Sequence, residues 1–323
     1  MTEASNGDDK LRKSPNRVKF KLITPADEGR RLDNLILAAS KSIPRSLVYK
    51  LIRSGQVRLN GKRAKPSQRV SVGDKVRIPP ISQAEVVPKE IAKSKVEKLE
   101  NCILYEDNQL LIINKPSGLS SHSGTNSHYG VVEILRQARP SVESLNLAHR
   151  LDKETSGCLV LCKDLDTLRE VQSGFTKHYC EKEYIALLRG PLPNDLREIS
   201  ESLINVRQNS GYKRAIVSKD GKTATTVIQK QKILAGHTFA SFSLKTGRMH
   251  QIRAHCQRIG HPVAGDRKYG DSNFNKQMKK LGLDRMFLHS NSFALSGRKI
   301  NIEVEAPTPI MLLSVLDKLE NST

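Results

Sequence analysis

The stretch of the chain richest in chemically active side chains runs from His149 to Gly157 and reads HRLDKETSG, directly before the apolar run CLVLC. Its carboxylates, Asp152 and Glu154, are residue types that act as general acids, bases or nucleophiles. A glycosidase pair needs two carboxyls facing each other across the substrate, which residues two apart in a loop rarely provide. Spacing alone therefore leaves two interpretations open, a catalytic loop and a charged turn that enters a buried strand.

A protein kinase catalytic loop also places an Asp after His-Arg, but it needs an Asn five residues beyond that Asp. The corresponding position here is Gly157. The sequence also has no Gly-x-Gly-x-x-Gly loop and no Asp-Phe-Gly motif, so the kinase interpretation fails.

The charge of the chain predicts a polyanionic partner. The 54 Lys and Arg residues against 33 Asp and Glu residues give a formal net charge of +21. Between Arg30 and Ile78 there are thirteen basic residues and two acidic ones, so 13 − 2 = +11 falls in this segment. A solvated surface usually mixes both signs, whereas such local density is typical of nucleic-acid binding.

Other features of the composition exclude several classes of protein. No apolar run approaches the ~18 residues of a membrane span, and the opening residues lack the apolar core of a signal peptide. We therefore expect a cytoplasmic protein without a membrane partner. The five cysteines include no Cys-x-x-Cys pair, and His250 and His255 are five apart, so we expect no disulfide framework and no metal. Cys158 and Cys162 are expected to be buried thiols.

The elements that must position the charged loop alternate irregularly between strands and helices, with hairpin-like neighbours. The class predicted is α+β, with a catalytic domain built on a mixed, largely antiparallel sheet flanked by helices. Two strands are expected within 102–118, on either side of a turn at Asp107-Asn108, and further strands at 158–162, 183–190, 199–206, 223–230 and 239–244. Helices are expected at 131–138, 165–177 and 248–260. In the last helix Met249, Ile252, Cys256 and Ile259 form the apolar stripe, with Arg253 on a polar strip beside it.

The chain divides by composition into a disordered tail at 1–17, a small basic module at 18–80, a charged linker at 81–100 and a larger domain at 101–323. The module shows two short helices, at 31–40 and 44–55, followed by a hairpin around Asn60-Gly61 and a strand entered through Gly73-Asp74. It resembles the S4 RNA-binding domain, and that resemblance implies a fold in which the second helix and the following turn lie on RNA phosphates. The RNA-binding residues implied are Arg45, Lys50, Arg53, Arg58, Lys62 and Arg63.

The larger domain resembles the RluA-type RNA pseudouridine synthases. The resemblance rests on His149-Arg150-Leu151-Asp152 with Thr155-Ser156-Gly157, on Lys182-Glu183-Tyr184, on the run GRMHQIR at 247–253, and on INKPSG at 113–118. It implies isomerisation of uridine to pseudouridine in RNA, without a cofactor. Within the family the resemblance is to the subgroup that modifies large-subunit ribosomal RNA, with a monomer as the family's usual state.

The resemblance also implies a role for each site residue. Asp152 acts at the sugar-base junction of a flipped-out uridine, either as nucleophile or as the base that starts glycal formation. Tyr184 stacks on the uracil, and Arg253 pairs with Asp152 and keeps it ionised. Arg150 fills the space that the uridine leaves, while His122 and Leu288 line the pocket. The alternative is an RNA-binding or ribosome-assembly factor with a non-catalytic synthase-like domain, which a missing Asp152 would have favoured.

Overall fold

The computed structural model describes residues 18–39, 43, 45–80, 91–123, 129–142, 145–208 and 213–322. The expected tail at 1–17 and the first half of the expected linker, 81–90, lie outside these residues. The chain forms two compact units, Met1–Glu90 and Ile91–Thr323. Within the described ranges, every helix is too short or too polar to span a lipid bilayer.

The first unit packs two helices against one side of a four-stranded antiparallel sheet. Its elements are β1 Lys19–Leu22, α1 Leu32–Ala39, α2 Arg45–Arg53, β2 Arg58–Leu59, β3 Lys62–Arg63 and β4 Lys75–Ile78. The strands follow one another across the sheet in the order β1-β4-β2-β3. The two helices and the hairpin that the sequence predicts are thus confirmed, whereas β1 had not been predicted.

The local sequence explains these elements. In α1 and α2, apolar residues at helical spacing meet in one core, including Leu32, Ile36, Val48 and Ile52. Asn60 and Gly61 both have positive φ, 50° and 76°, which is the backbone of a tight hairpin turn between β2 and β3.

The second unit is built on one large sheet. Its strands are β5 Ile103–Glu106, β6 Leu110–Lys115, β7 Asn146–Leu147, β8 Ser156–Cys162, β9 Cys180–Leu188, β10 Glu198–Ser200, β13 Thr225–Leu234, β14 His237–Leu244, β15 Leu288–Ser296 and β16 Asn301–Glu305. They are hydrogen-bonded in the order β10-β13-β14-β9-β15-β8-β6-β5, with β16 beside β15 and β7 beside β8. Only β8 and β15 pair in parallel among the described strands, so the predicted mixed, largely antiparallel sheet is confirmed.

Helices flank this sheet, and a separate two-stranded hairpin joins β10 to β13. The helices are α3 Lys93–Glu100, α4 Val131–Ala138, α5 Leu165–Lys177, α6 Gln251–Arg258, α7 Ser272–Lys280 and α8 Ile310–Glu320; the hairpin strands are β11 Leu203–Arg207 and β12 Lys213–Val217. The strand predicted over 199–206 is therefore two strands, because Glu201 and Ser202 leave the large sheet between β10 and β11.

The linker expected over 81–100 also differs from the structure. Residues 93–100 form the helix α3, and Leu99 on this helix is buried in the second unit's core. The charged residues of this segment lie on the exposed side of the helix. Its composition therefore predicted a linker, although Leu99 anchors the helix in the core.

Strand β8 is buried on both faces, which explains why the run CLVLC contains no polar residue. Leu159 and Leu161 point into the core beneath α4 and α6, while Cys158, Val160 and Cys162 point into the core with Val171 of α5. Both thiols are buried, as predicted. The strand therefore gives the loop before it, residues 148–155, a rigid attachment to the centre of the sheet.

Candidate active site

The backbone around Asp152 is held by the segment that follows β6. The Ser121 hydroxyl donates to the Leu151 carbonyl over 2.9 Å, and the Leu151 amide donates to the Ser121 oxygen over 3.1 Å. The Gly118 amide donates to the Lys153 carbonyl over 2.8 Å, and the Ser117 hydroxyl to the Glu154 carbonyl over 2.7 Å. Each residue on either side of Asp152 is thus fixed through its main chain.

Lys115, the last residue of β6, strengthens this attachment from inside the protein. Its ammonium group donates to the carbonyls of Pro116, Leu119 and Lys153 at 2.8, 2.9 and 3.2 Å. The side chain is fully buried, and burial lowers the pKa of Lys115 to about 7. This lysine ties the segment at 116–119 to the loop that carries Asp152.

The Gly157 position decides how close β8 can come to β15. Gly157 has a φ of +107°, and a Cβ there would lie 2.1 Å from the carbonyl oxygen of Ser290. Ser290 pairs with Gly157 on one side and with Tyr184 of β9 on the other. A glycine at the end of the charged motif therefore lets one residue of β15 lie between the Asp152 loop and Tyr184.

Arg253 contacts Asp152 as predicted, with 2.9 Å between Nη1 of the arginine and Oδ2 of the aspartate. The rest of the guanidinium binds a second carboxylate in a fork, with Nε 2.6 Å from Oδ2 and Nη2 3.0 Å from Oδ1 of Asp266. The Arg253 side chain is 4% exposed, the Asp266 side chain 0%, and the Asp152 side chain 21%. The arrangement offers one partly exposed carboxylate that a buried, anchored cation holds in place.

The burial of Arg253 corrects the expectation that it lies on a polar strip outside the core. Burial opposes its charged form, but the hydrogen bonds and charge of Asp266, with Asp152, raise the pKa of Arg253 overall. Burial likewise opposes the charge of Asp266, yet Arg253 and backbone amides lower the pKa of Asp266. The pair remains ionised in the interior because each partner compensates the other.

The start of α6 is fixed by Gln251, which is buried. Its side-chain oxygen accepts from the Thr246 hydroxyl and the Arg248 amide, and its amide donates to the Thr225 carbonyl. The preceding residue, His250, has a φ of 53°, and its Nε2 lies 3.8 Å from Oδ2 of Asp152. Burial lowers the pKa of His250, so it is neutral at neutral pH.

Tyr184 lies in β9 and is 5% exposed, packed in the core cluster that also contains Leu151 and Leu288. Burial raises the pKa of the Tyr184 hydroxyl, and the Asp152 carboxylate raises it further, while Ser290 acts in the opposite direction. Tyr184 is therefore a protonated phenol within electrostatic reach of Asp152 across the whole neutral range.

The predicted substrate-binding residues lie at different depths around Asp152. Leu288 is buried at the start of β15, and Arg150 is exposed, two residues before Asp152. His122 is half-buried and follows Ser121, the residue bonded to Leu151. His149 points to the other side of the loop, where its Nε2 accepts from the Val160 amide and its ring packs on Phe175, so its contacts are structural.

The predicted RNA-binding residues all belong to the first unit. Arg45 begins α2, and Lys50 and Arg53 are exposed in its last turn. Arg58 lies on β2, and Lys62 and Arg63 form β3; all three are exposed.

Sequence reasoning missed Asp266, Lys115 and His250 as members of this site. Lys115 and His250 stand inside the quoted runs INKPSG and GRMHQIR, so the motifs themselves contained the signal. Asp266 lies in a loop thirteen residues beyond Arg253, with no helical or strand periodicity to link the two. Only the folded chain brings them together.

Comparison with known proteins identifies relatives of both units. Residues 109–258 match the family model described as RNA pseudouridylate synthase, and residues 30–76 match the S4 domain. The ribosomal large subunit pseudouridine synthase C of Haemophilus influenzae is 40% identical over 309 residues, covering 94% of this chain and 96% of that protein. The protein of the same name from Escherichia coli K12 is 38% identical over 311 residues, covering 94% and 98%.

Two solved human structures share the fold. RNA Pseudouridylate Synthase Domain Containing 4 is 25% identical with a TM-score of 0.57, covering 70% of this chain and 95% of that one. RNA Pseudouridylate Synthase Domain Containing 1 is 26% identical with a TM-score of 0.54, covering 66% and 85%.

Proposed function

Since the chain belongs to the RNA pseudouridine synthase family, we propose that it isomerises specific uridines of large-subunit ribosomal RNA, with Asp152 as the reacting carboxylate. The family and the S4 domain that the motifs indicated are both confirmed. Support for the ribosomal target comes from the relatives, which are named ribosomal large subunit pseudouridine synthases.

The reaction sets clear demands on the site. The bond between N1 of uracil and C1′ of the ribose breaks, the base turns and a bond forms from C5 to C1′. The C5 proton leaves to solvent and N1 gains a proton, so the product is an isomer of uridine. No redox change occurs, so a single carboxylate beside C1′ suffices, either to attack C1′ or to remove the C2′ proton and start a glycal route. The observation that carries this proposal is the partly exposed Asp152 carboxylate, which Arg253 holds at 2.9 Å.

The other residues take roles that fit their places. Tyr184, a buried phenol, would pack on the uracil ring. Leu288 would line the same pocket, with His122 at its edge. Arg150, exposed beside the reacting loop, would occupy the space from which the uridine is extruded.

The proposed division of labour follows the two units. Residues 18–80 would capture RNA through Arg45, Lys50, Arg53, Arg58, Lys62 and Arg63, and residues 101–323 would carry the chemistry. Asp152, Tyr184, Arg253 and Asp266 all belong to one chain, so we propose that a monomer is sufficient. A ribosomal RNA substrate would also place the enzyme in the cytoplasm.

The proposal is tested by tritium release from large-subunit ribosomal RNA labelled at C5 of uracil. We expect release by the wild-type protein and a loss of about 10³-fold or more in Asp152→Asn. Glu154→Gln is the matched control, because Glu154 is an exposed carboxylate two residues away in the same loop and should leave the rate within about twofold. Absence of release by the wild type, or full activity of Asp152→Asn, refutes the assignment. Mapping pseudouridines in ribosomal RNA from a strain that lacks the protein identifies the target uridines.

A further inference from the structure

The outer face of the first unit's sheet carries an unusual row of side chains. Phe20 of β1 pairs with Arg77 of β4, Arg77 pairs with Arg58 of β2, and Arg58 pairs with Arg63 of β3. Cross-strand partners lie on the same face of a sheet. One aromatic ring and three guanidinium groups therefore follow one another across all four strands.

The aromatic end of the row is exposed to solvent, although large apolar side chains are usually buried. Phe20 is 60% exposed and Leu22, on the same face, is 63% exposed. Lys21, between them, turns the other way and pairs with Asp27 at 2.9 Å. A strand in which apolar and polar residues alternate normally turns its apolar side chains toward the core. In β1 the apolar side chains, Phe20 and Leu22, instead face solvent.

A cation accompanies the exposed ring. The ammonium group of Lys75 lies 4.7 Å from the centroid of the Phe20 ring, and Lys75 pairs with Leu22 across the strands. An aromatic ring bordered by cations is the usual platform on which single-stranded nucleic acids stack a base and place the neighbouring phosphate.

Two of the three arginines are held in position by main-chain carbonyls. Arg58 donates to Gly55 and Gly61, each at 3.2 Å, and Arg77 donates to Gln56 at 2.6 Å. Arg63 packs over Gly55, where its Nε lies 2.9 Å from the position that a Cβ would take. The guanidinium groups thus converge on the turn between α2 and β2.

No carboxylate neutralises this cluster within the part of the chain that the structure describes, because none of the three guanidinium groups forms an ion pair there. The acids on the neighbouring turn are engaged elsewhere: Asp74 accepts from Asn60 and the Ser71 amide, and Glu28 accepts from the Val72 amide. Positive groups oriented by backbone and left without a counter-charge are suited to phosphate.

We propose that this face binds a single-stranded segment of the RNA, with an unpaired base stacked on Phe20 and the phosphates following Arg77, Arg58 and Arg63. The inference rests on the proposed RNA substrate and extends it, since Phe20, Lys75 and Arg77 lie outside the helix and turn that the S4 resemblance implies. A duplex is disfavoured because its bases present no open ring face. A protein partner is disfavoured because these three arginines, which form no ion pair among the residues that the structure describes, would need acids to meet them.

The test uses the full chain and a ten-nucleotide single-stranded RNA that carries 2-aminopurine, with the same sequence as a duplex for comparison. We expect wild-type binding to quench the fluorophore, and Phe20→Leu to raise Kd for the single strand about tenfold and abolish most quenching. Phe20→Tyr, which keeps a ring, should restore both. Arg77→Gln should reduce the salt slope of log K by about 0.7, the share of one phosphate contact. Ile310→Ala and Lys280→Gln are the controls, as an exposed apolar side chain and an exposed cation in the second unit.

Unchanged affinity and quenching in Phe20→Leu would overturn the proposal. A photo-crosslinking amino acid at position 20 provides a second measurement: labelling of RNA supports the platform, whereas labelling of protein alone shows that another polypeptide surface covers the face and refutes it. Tritium release by the wild type is recorded in parallel. If the wild type releases tritium normally but Phe20→Leu binds RNA as tightly as the wild type, only the proposed RNA-binding face is rejected. If the wild type releases no tritium, the proposed activity is rejected.

Discussion

At the scale of single residues, the central feature of the site is one arginine shared by two carboxylates. Asp266 is fully buried and takes the fork of Arg253, so only Nη1 is directed to Asp152. A flexible cation would follow the Asp152 carboxylate wherever it moved. An arginine anchored in a fork instead fixes Oδ2 of that carboxylate, and under the proposed mechanism Oδ1 would be the oxygen that acts on the substrate.

We therefore predict that Asp266→Asn impairs catalysis, although the Asp266 side chain is fully buried and does not contact the substrate. The change leaves a buried cation short of a partner, which should lower the free energy of unfolding by about 3 kcal/mol. It should also lower kcat about 100-fold, because Arg253 loses the fork that orients it. Urea unfolding and single-turnover tritium release on the folded protein measure the two effects separately.

The control for that change is Asp166→Asn, which removes an exposed carboxylate with an 86% exposed side chain. Its unfolding free energy should stay within about 0.5 kcal/mol of wild type. If Asp266→Asn were destabilised but kept the wild-type kcat, Asp266 would serve stability only, and the positioning of Asp152 by Arg253 would not depend on the fork.

Prediction from sequence was uneven at this scale. The contact between Arg253 and Asp152 was expected from the motifs, and the structure places the two atoms in contact. The burial of Arg253 was not, because a helical pattern shows only that an arginine lies beside an apolar stripe. Arg253 can be buried because Asp266 binds its guanidinium group, and no periodicity in the sequence connects Asp266 to the helix.

At the scale of elements, the site depends on how closely three strands approach one another. β15 lies between β8 and β9, with Ser290 paired to Gly157 and to Tyr184. The motif residues Ser156 and Gly157 are thus part of the strand itself, not of the turn before it. The sequence predicted β8 because a short apolar run such as CLVLC is consistent with a buried strand, but it did not predict the close approach.

We predict that Gly157→Ala disrupts this approach. The added Cβ would lie 2.1 Å from the Ser290 carbonyl oxygen at a φ of +107°, so β8 and β15 must separate. The expected loss is roughly 3 kcal/mol or more of unfolding free energy, together with most of the activity. Gly236→Ala has a similar φ of +75° but meets nothing within 4 Å, so it should cost only about 1 kcal/mol and leave activity near wild type. Equal effects of the two changes on thermal unfolding and tritium release would contradict the role of close packing.

A network of charges attaches α3 and α4 to the sheet. Arg139, after α4, contacts Glu100 of α3 and Glu106 of β5, each at 2.6 Å, and Lys163 contacts Glu106 at 2.8 Å. Hydrogen bonds from Arg139 lower the pKa of Glu106 to about 2, with burial opposing and Lys163 assisting. The folded pKa lies below the ordinary value of 4.5, so this contribution to stability is present above pH 4.5 and is lost as pH falls through about 2.

We predict that Glu106→Gln lowers the unfolding free energy by about 1 to 2 kcal/mol at pH 7, a value reduced for the partial exposure of Glu106. The difference from wild type should shrink between pH 4.5 and pH 2, where the native carboxylate gains its proton. Glu320→Gln, which removes one partner of an exposed pair with Lys232, should differ by less than about 0.5 kcal/mol throughout. Urea unfolding at pH 7, 4 and 3 measures this, and a difference that grows toward low pH would be the wrong sign.

At the scale of the whole molecule, the dense positive charge and the proposed active site are separated along the chain. The segment from Arg30 to Ile78 carries +11 of the formal +21, whereas Asp152, Arg253 and Asp266 lie in the second unit. The dense basic segment is visible in the composition alone, since its recognition needs no fold. The outward face of β1 could not be predicted, because its alternation of apolar and basic residues would ordinarily turn Phe20 inward.

The separation leads to a prediction about salt. A chain that lacks residues 1–90 should bind ribosomal RNA fragments less tightly and with a shallower dependence of log K on log salt, because fewer phosphates release their counterions. Lys50→Gln with Arg53→Gln in the full chain is the matched control, since it removes two exposed cations of α2 without removing a domain. It should reduce the slope by about 1.4 to 1.8, depending on whether the contacted RNA is single-stranded or duplex. The shortened chain should still release tritium at high RNA concentration and low salt, because Asp152 and the groups that hold it all lie beyond residue 90. A slope equal to wild type in the shortened chain would mean that the second unit makes the phosphate contacts and that the first unit's charge serves another purpose.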